Sequence, residues 1–178
     1  MTSARGPLQN TPEAFEAQLR EGHYNELRVA LFYMLRGFCA RIGFENGRYD
    51  ITLLRDDGSR RKVEVKWDKR AGQTGNLYFE VENTRQRAPS GIMATSADIW
   101  CHVVGEGQQA LLSRVDRLRE VLETGRFRSV NTSGADSNSR GLLVARSRLE
   151  GVDGLHWVRL PTVEDYFGEL FRRSGWRG

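Results

Sequence analysis

Between residues 48 and 82 the hydrophobic side chains recur at every second position, a period that extended strands have and helices do not. The segments 48–55 (RYDITLLR), 62–68 (KVEVKWD) and 77–82 (LYFEVE) each alternate in this way. A turn sequence at 56–59 (DDGS) and a Gly-rich stretch at 71–75 (AGQTG) separate them. Because these connections are short, the pattern predicts an antiparallel meander of three strands.

Helical periodicity lies on both sides of these strands. Pro12 suits the first position of a helix, and residues 25–41 repeat apolar side chains at helical spacing, with Gly22 expected to interrupt the pattern. Residues 108–124 also predict a helix. Thr162, three residues before an acidic side chain, predicts the start of a last helix through a capping box.

Three further segments predict strands. Residues 98–104 (DIWCHVV) form an apolar run typical of a buried strand, and 141–149 and 156–160 are additional candidates. The Ser-rich stretch 131–140 predicts a mobile loop rather than a domain boundary. This order of elements predicts a single α/β domain over residues 1–178, with a mixed central sheet flanked by helices.

The composition excludes several classes of protein. No apolar run approaches the roughly 20 residues that cross a bilayer, and the N-terminus lacks the apolar core of a signal peptide. Two cysteines are too few for a disulfide framework, and three scattered histidines form no zinc-binding cluster. We therefore expect a soluble, intracellular, cytoplasmic protein with no membrane partner. Cys39, Cys101 and His102 are expected to pack in its core.

The charge of the chain is mildly basic. It has 27 Lys and Arg against 23 Asp and Glu, a net charge of +4, and all but three of the basic residues are Arg. The guanidinium fork of Arg suits phosphate contacts, although an Arg bias also follows from genome composition alone. The balance therefore permits a nucleic-acid partner without establishing one.

The triplet Glu64-Val65-Lys66 carries the most chemical information. Residues two apart in a strand point to one face, about 6–7 Å from each other, so a carboxylate and an ammonium lie side by side. Asp50, on the polar side of the preceding strand, adds a second carboxylate. Carboxylates are the ligands that Mg²⁺ prefers, and a water on that ion is a competent nucleophile for a phosphodiester. The alternative is the solvated face of an amphipathic strand.

This arrangement resembles the PD-(D/E)xK nuclease motif on its αβββαβ restriction-endonuclease-like core. Asp50 lies fourteen residues before Glu64-x-Lys66, although Tyr49 stands where the motif usually has proline. The resemblance covers about residues 20–105, which leaves 106–178 as a C-terminal elaboration. It implies Mg²⁺-dependent hydrolysis of DNA, with Mn²⁺ as a substitute, with Asp50 and Glu64 as metal ligands. Lys66 would position the water or stabilise the transition state.

Three further glutamates are candidates for the same site. The resemblance implies a catalytic role for Glu26 on the first helix, where the alternative is a glutamate favoured by the helix dipole. Glu80 is a candidate metal ligand and Glu82 a neighbouring acid, both otherwise exposed on their strand. In small phage-type nucleases of this superfamily the segment after the third strand shapes the mouth of the site. Ser90 and Thr95 in that segment are candidates for phosphate binding or for a plain turn.

Basic side chains at both ends of the central strand and after the third strand are candidate DNA contacts, unless they are simply solvated surface residues. They are Arg60, Arg61, Lys62, Lys69, Arg70, Arg85 and Arg87. Contacts of this kind bind phosphates without reading base sequence.

The sequence thus predicts a metal-dependent DNA endonuclease that resolves branched DNA such as Holliday junctions. Such an enzyme is expected to be a homodimer, and Phe32, Tyr33 and Met34 are the candidate dimer surface. A restriction-type, flap or single-strand nuclease is the alternative within the same class. A non-catalytic DNA-binding protein that keeps the fold, and an RNA-directed nuclease, also remain open.

Overall fold

The computed structural model describes residues 12–43, 49–132 and 138–175. The helices α1–α4 span Pro12–Met34, Ala71–Thr74, Val115–Thr124 and Val163–Ser174. The strands β1–β10 span Cys39–Ile42, Ile51–Leu54, Arg60–Asp68, Asn76–Asn83, Ala88–Pro89, Ile99–Val104, Gln109–Arg114, Arg128–Asn131, Ser139–Ala145 and Leu155–Arg159. No helix in these ranges is long and apolar enough to span a membrane.

A central sheet of six strands has the order β1-β2-β3-β6-β7-β10. Its neighbours are antiparallel except β3 and β6, which run parallel, so the sheet is mixed. Helix α1 packs on one face, where Val29 and Phe32 join Val63, Ile51 and Cys101 in a buried cluster. This arrangement confirms the predicted α/β class with a mixed central sheet.

A second sheet covers the opposite face. Its four strands are antiparallel in the order β5-β4-β9-β8. Leu77 and Phe79 of β4 pack with Trp100 of β6 and Leu118 of α3 in another buried cluster. The polar side of β3 therefore lies on the side of the central sheet that faces the second sheet.

The predicted meander of 48–55, 62–68 and 77–82 is wrong in its third strand. The first two segments contain β2 and β3, which pair as expected, but the third is β4 and belongs to the second sheet. The remaining strand of the meander is β1, in a segment that the sequence pattern assigned to a helix. Alternation identifies a strand with one buried face, but it does not identify which strand is its partner.

The predicted helices need two corrections at their ends. Helix α1 ends at Met34 rather than near residue 41, and Gly37 follows in the left-handed conformation with φ of 83°, which most residues avoid. Gly22 does not interrupt this helix. The segment 108–124 divides into β7 and α3, because its first half completes the sheet between β6 and β10.

Other expected elements are confirmed. Strand β6 is buried along most of its length, β9 and β10 overlap the two later candidate segments, and Thr162 forms a capping box with Asp165 at the start of α4. In the predicted loop 131–140, Asn131 ends β8 and Ser139 begins β9, while residues 133–137 lie outside the described ranges.

The structure corrects two predictions about exposure and confirms a third. Phe32 and Tyr33 are buried against the central sheet, so neither contributes to an exposed dimer surface, whereas Met34 is exposed. Cys39 is exposed at the edge strand β1 rather than packed in the core. Cys101 and His102 are buried, as expected for side chains of an apolar inner strand.

Candidate active site

Asp50 is tied to β3 on both sides of Glu64. It immediately precedes β2, and its backbone N–H donates to the carbonyl oxygen of Val63 at 3.0 Å. Its carboxylate oxygen Oδ2 accepts the backbone N–H of Val65 at 2.6 Å. These bonds to the two neighbours of Glu64 hold the Asp50 carboxylate beside the polar face of β3.

Glu64 is half-buried, and its Oε2 accepts a hydrogen bond from the hydroxyl of Thr95 at 3.0 Å. Burial raises the pKa of Glu64 to about 7, and the nearby carboxylate of Asp50 contributes to this rise. The Thr95 hydroxyl and the Lys66 ammonium act in the opposite direction, and Glu26 adds a smaller upward effect. The two carboxylates therefore repel each other in a partly desolvated setting.

The pKa of Asp50 is also raised, and burial is the main cause. The backbone N–H of Val65 partly offsets this effect because it stabilises the ionised carboxylate. Glu26 raises the pKa of Asp50, whereas the charges of Lys66 and His23 lower it. Asp50, Glu64, Lys66 and the first helix therefore act on one another electrostatically.

Helix α1 carries Glu26, whose charge acts on both Asp50 and Glu64. Its Oε2 lies 3.1 Å from Nδ1 of His23, and its side chain is only 17% exposed against 40% for His23. His23 was not a candidate from the sequence. The available signal was its position three residues before Glu26, which places both side chains on the same face of the helix.

Lys66 is exposed and lies two residues from Glu64 on the same face of β3. It borders a cleft of about 550 Å³ between the end of β3 and the second sheet. The second sheet contributes Tyr78, Val130 and Leu143 to this cleft. The ammonium group is thus accessible from a concave surface at the end of β3.

Asp68, the next charged residue on this face, has a structural role. Its carboxylate accepts the backbone N–H groups of Ala71 at 2.9 Å and Tyr78 at 3.0 Å, and Oδ2 lies 3.6 Å from Nε2 of His102. His102 is fully buried, and its Nδ1 accepts the indole N–H of Trp100 at 3.3 Å. Asp68 therefore fixes the connection from β3 to β4.

The pKa values of this pair follow from those contacts. Burial acts to raise the pKa of Asp68, but the nearby His102 side chain and the hydrogen bonds from backbone N–H groups outweigh it, so the net pKa is lowered. Burial lowers the pKa of His102 and favours its neutral form.

Glu80 and Glu82 lie on the second sheet rather than beside Glu64 on the central one. Glu80 pairs with Gly141 in the ladder between β4 and β9, and Glu82 forms an ion pair with Arg140. Neither residue therefore lies on a strand that pairs with β3, and the roles of Glu80 as a metal ligand and of Glu82 as a neighbouring acid stay predictions. Ser90, another candidate after β4, has a buried hydroxyl oxygen.

The candidate DNA contacts are exposed and lie in three places. At the start of β3 are Arg60, Arg61 and Lys62, and just after its end are Lys69 and Arg70. In the turn after β4 are Arg85 and Arg87. Strand β3 has nine residues and is about 26 Å long at 3.3 Å per residue. Basic side chains thus flank Glu64 and Lys66 in both directions along the strand.

The donor set suits a magnesium ion, although it is small. In the described part of the chain, no group of three or more His, Cys, Asp and Glu side chains is arranged to hold a metal ion. Mg²⁺ usually binds through one or two carboxylates, with waters and substrate oxygens as its other ligands. Asp50 and Glu64 supply two, and burial is the main cause of their raised pKa values, with the charge of Asp50 adding to the rise at Glu64. A bound cation would stabilise the ionised form of both carboxylates.

The chain is similar to the solved structure of a bacterial homing endonuclease, I-Ssp6803I. The sequence identity is 17%, the match covers 86% of this chain and 92% of that chain, and the TM-score is 0.46. No protein-family model and no curated protein matches the sequence. The function of the chain is therefore inferred from the geometry of its own residues.

Proposed function

We propose that the protein is a metal-dependent DNA endonuclease that hydrolyses phosphodiester bonds. One observation carries the proposal: Asp50 is locked to both neighbours of Glu64, with Lys66 next on the same strand face. Two partly desolvated carboxylates beside an accessible ammonium suit a reaction in which negative charge develops on phosphate oxygens.

Asp50 and Glu64 would hold the divalent ion, Mg²⁺ or Mn²⁺. When bound, the ion supplies a more acidic water and offsets charge on the phosphate. Lys66 is exposed at the cleft, so its ammonium orients the attacking water or donates to a phosphate oxygen. Glu26, which contacts His23 on α1, adds negative charge near Asp50 and Glu64.

The exposed basic residues around β3 support DNA as the substrate, because they suit phosphates on both sides of a cut. Holliday-junction resolution by a homodimer stays a prediction from the sequence, and restriction-type, flap and single-strand cleavage are its alternatives. A non-catalytic DNA-binding protein is the second candidate function, since the described residues contain no group of three potential metal ligands.

A cleavage assay tests this proposal. Four-way junction, flap, single-stranded and linear duplex DNA, and a matched RNA, are incubated with the protein in Mg²⁺, Mn²⁺ or EDTA. We expect metal-dependent cleavage of DNA that falls by at least about 100-fold in Lys66→Ala, because that variant removes transition-state stabilisation. Asp50→Asn and Glu64→Gln should lose cleavage and metal binding together.

Glu123→Gln is the matched control, since it neutralises an exposed carboxylate on α3 and should cleave like the wild type. Retained metal-dependent cleavage in all three site variants would exclude the proposed site. Absence of cleavage on every substrate, with DNA binding intact, would favour the non-catalytic function.

A further inference from the structure

The segment that follows β5 reaches the candidate active site through Thr95. The Thr95 hydroxyl donates to Oε2 of Glu64 at 3.0 Å and accepts the backbone N–H of Ala97 at 3.2 Å. The same oxygen thus connects the side chain of Glu64 to the main chain just before β6. A carboxylate held in this way samples fewer rotamers than one that contacts only solvent.

An arginine of α3 contacts the backbone of Thr95 and of the turn that precedes it. Nε of Arg119 donates to the carbonyl oxygen of Ile92 at 2.8 Å, and a terminal nitrogen donates to that of Thr95 at 2.9 Å. Ile92 is fully buried, and the backbone N–H of Thr95 donates to the carbonyl oxygen of Gly91 at 3.0 Å. The planar guanidinium therefore holds two carbonyl groups of one short segment in a fixed relation.

We propose that Thr95 is a positioning residue that orients Glu64 for the divalent ion, with Arg119 holding the Thr95 segment in place. This inference rests on the proposed function, because it concerns the same metal site. Groups that hydrogen-bond to metal ligands set the direction of the ligand oxygens, and their loss typically lowers metal affinity by about 10- to 100-fold. The sequence suggested Thr95 as a phosphate contact or as part of a plain turn, whereas its hydroxyl is directed to Glu64.

Thr95→Val and Thr95→Ser separate the hydroxyl from the shape of the side chain. Valine keeps the branched shape and removes the hydrogen bond, whereas serine keeps the hydroxyl. Thr124→Val is the matched control, since it removes an exposed hydroxyl that donates to the Glu120 carbonyl at the end of α3. The full chain is titrated with Mn²⁺ by calorimetry, and thermal unfolding and cleavage are measured on the same samples.

We expect Thr95→Val to bind Mn²⁺ about 10- to 100-fold more weakly, with a lower kcat and an unchanged affinity for DNA. Thr95→Ser should recover most of the Mn²⁺ affinity, and Thr124→Val should match the wild type. Recovery by serine distinguishes positioning from general loss of structure. Should Thr95→Val not fold, Arg119→Lys tests the same connection, because an ammonium cannot hold both carbonyl groups and Mn²⁺ binding should weaken.

Equal Mn²⁺ affinity in the wild type and Thr95→Val would overturn the positioning role, provided that Glu64→Gln abolishes binding. A serine variant as weak as the valine variant would also overturn it. If Glu64→Gln binds Mn²⁺ as the wild type does, the metal site itself is wrong and both proposals fail. If Glu64→Gln loses Mn²⁺ binding while Thr95→Val keeps it, the positioning role fails and the proposed metal site stands.

Discussion

The side chain of Asp50 takes part in the backbone hydrogen bonding of the sheet. Its carboxylate accepts the N–H of Val65, a role that a main-chain carbonyl normally has between paired strands. Burial disfavours the charge of Asp50, but this bond stabilises it and fixes the direction of the group. Because the folded sheet holds Asp50 in place, ionisation of Glu64 beside it is unfavourable. A bound cation would offset this unfavourable interaction, which agrees with the proposed metal site.

Asp68 illustrates the other use of a charged residue on the same strand face. Replacing Asp68 by Asn should destabilise the protein by about 1–3 kcal/mol, because the amide offers one acceptor oxygen where two backbone N–H groups need acceptors. Urea unfolding of the two proteins near pH 7 measures this difference. Asp153→Asn, at an exposed position, is the control and should unfold like the wild type.

The same comparison has a defined pH dependence. Since the pKa of Asp68 is lower in the folded protein than in the unfolded chain, its stabilising effect is complete above the unfolded value, about 3.9. It is lost as the pH falls through the folded value. The gap in unfolding free energy between the wild type and Asp68→Asn should therefore narrow below about pH 4, and a constant gap would contradict this account.

At the scale of residues, strand periodicity predicted that Glu64 and Lys66 share a face, and the short turn at 56–59 predicted that the strand after Asp50 pairs with theirs. It did not identify the bond between Thr95 and Glu64, which joins residues 31 positions apart. It also missed His23, because only the packing of α1 on the central sheet brings this histidine near Asp50.

The elements of the second sheet support the Thr95 segment through a close approach of two backbones. Gly91 begins the short 3-10 turn Gly91–Met93 with a φ of 52°. A Cβ at this position would lie 2.5 Å from the backbone oxygen of Glu80 and 2.8 Å from its Cβ. Only glycine allows the turn to pack so closely on β4 while it leads into Thr95.

Gly91→Ala should therefore destabilise the protein by more than the cost of placing alanine in a backbone conformation with positive φ. Gly151→Ala is the control, since Gly151 has a φ of 73° and open space where the methyl group of alanine would lie. We expect the Gly151 variant to lose about 1 kcal/mol and the Gly91 variant clearly more, because a backbone contact must also move. Equal losses of unfolding free energy in the two variants, measured in denaturant, would show that the turn accommodates the extra methyl group without further destabilisation.

Element types were harder to predict wherever two periodicities overlap. Residues 108–124 carry apolar side chains at helical spacing, yet the first part forms β7 because Ala110, Leu111 and Leu112 fill the space between β6 and β10. Strand β1 has only four residues and follows closely on a helix, so its pattern is too short to be distinguished. Strand β6, a continuous apolar run, was predictable because burial on both faces leaves a clear signal.

For the whole molecule, the two sheets determine where a substrate is able to approach. The two buried clusters lie on opposite sides of the central sheet. The exposed Lys66 lines a cleft that both sheets border. The basic residues at the two ends of β3 lie on either side of this point. A DNA backbone that follows β3 would therefore meet positive charge before and after the carboxylate pair.

This arrangement predicts how DNA affinity depends on salt. The double variant Arg60→Ala/Arg61→Ala removes two exposed charges at the start of β3, and Arg172→Ala/Arg173→Ala removes two from α4, where both pair with Glu169. The net charge changes equally in both. If each of the first pair contacts one phosphate, the slope of log K against log salt should fall by about 1.8 in magnitude, with weaker binding to every sequence. The α4 variant should keep the slope of the wild type, and equal slopes in all three proteins would mean that this end of β3 does not contact DNA.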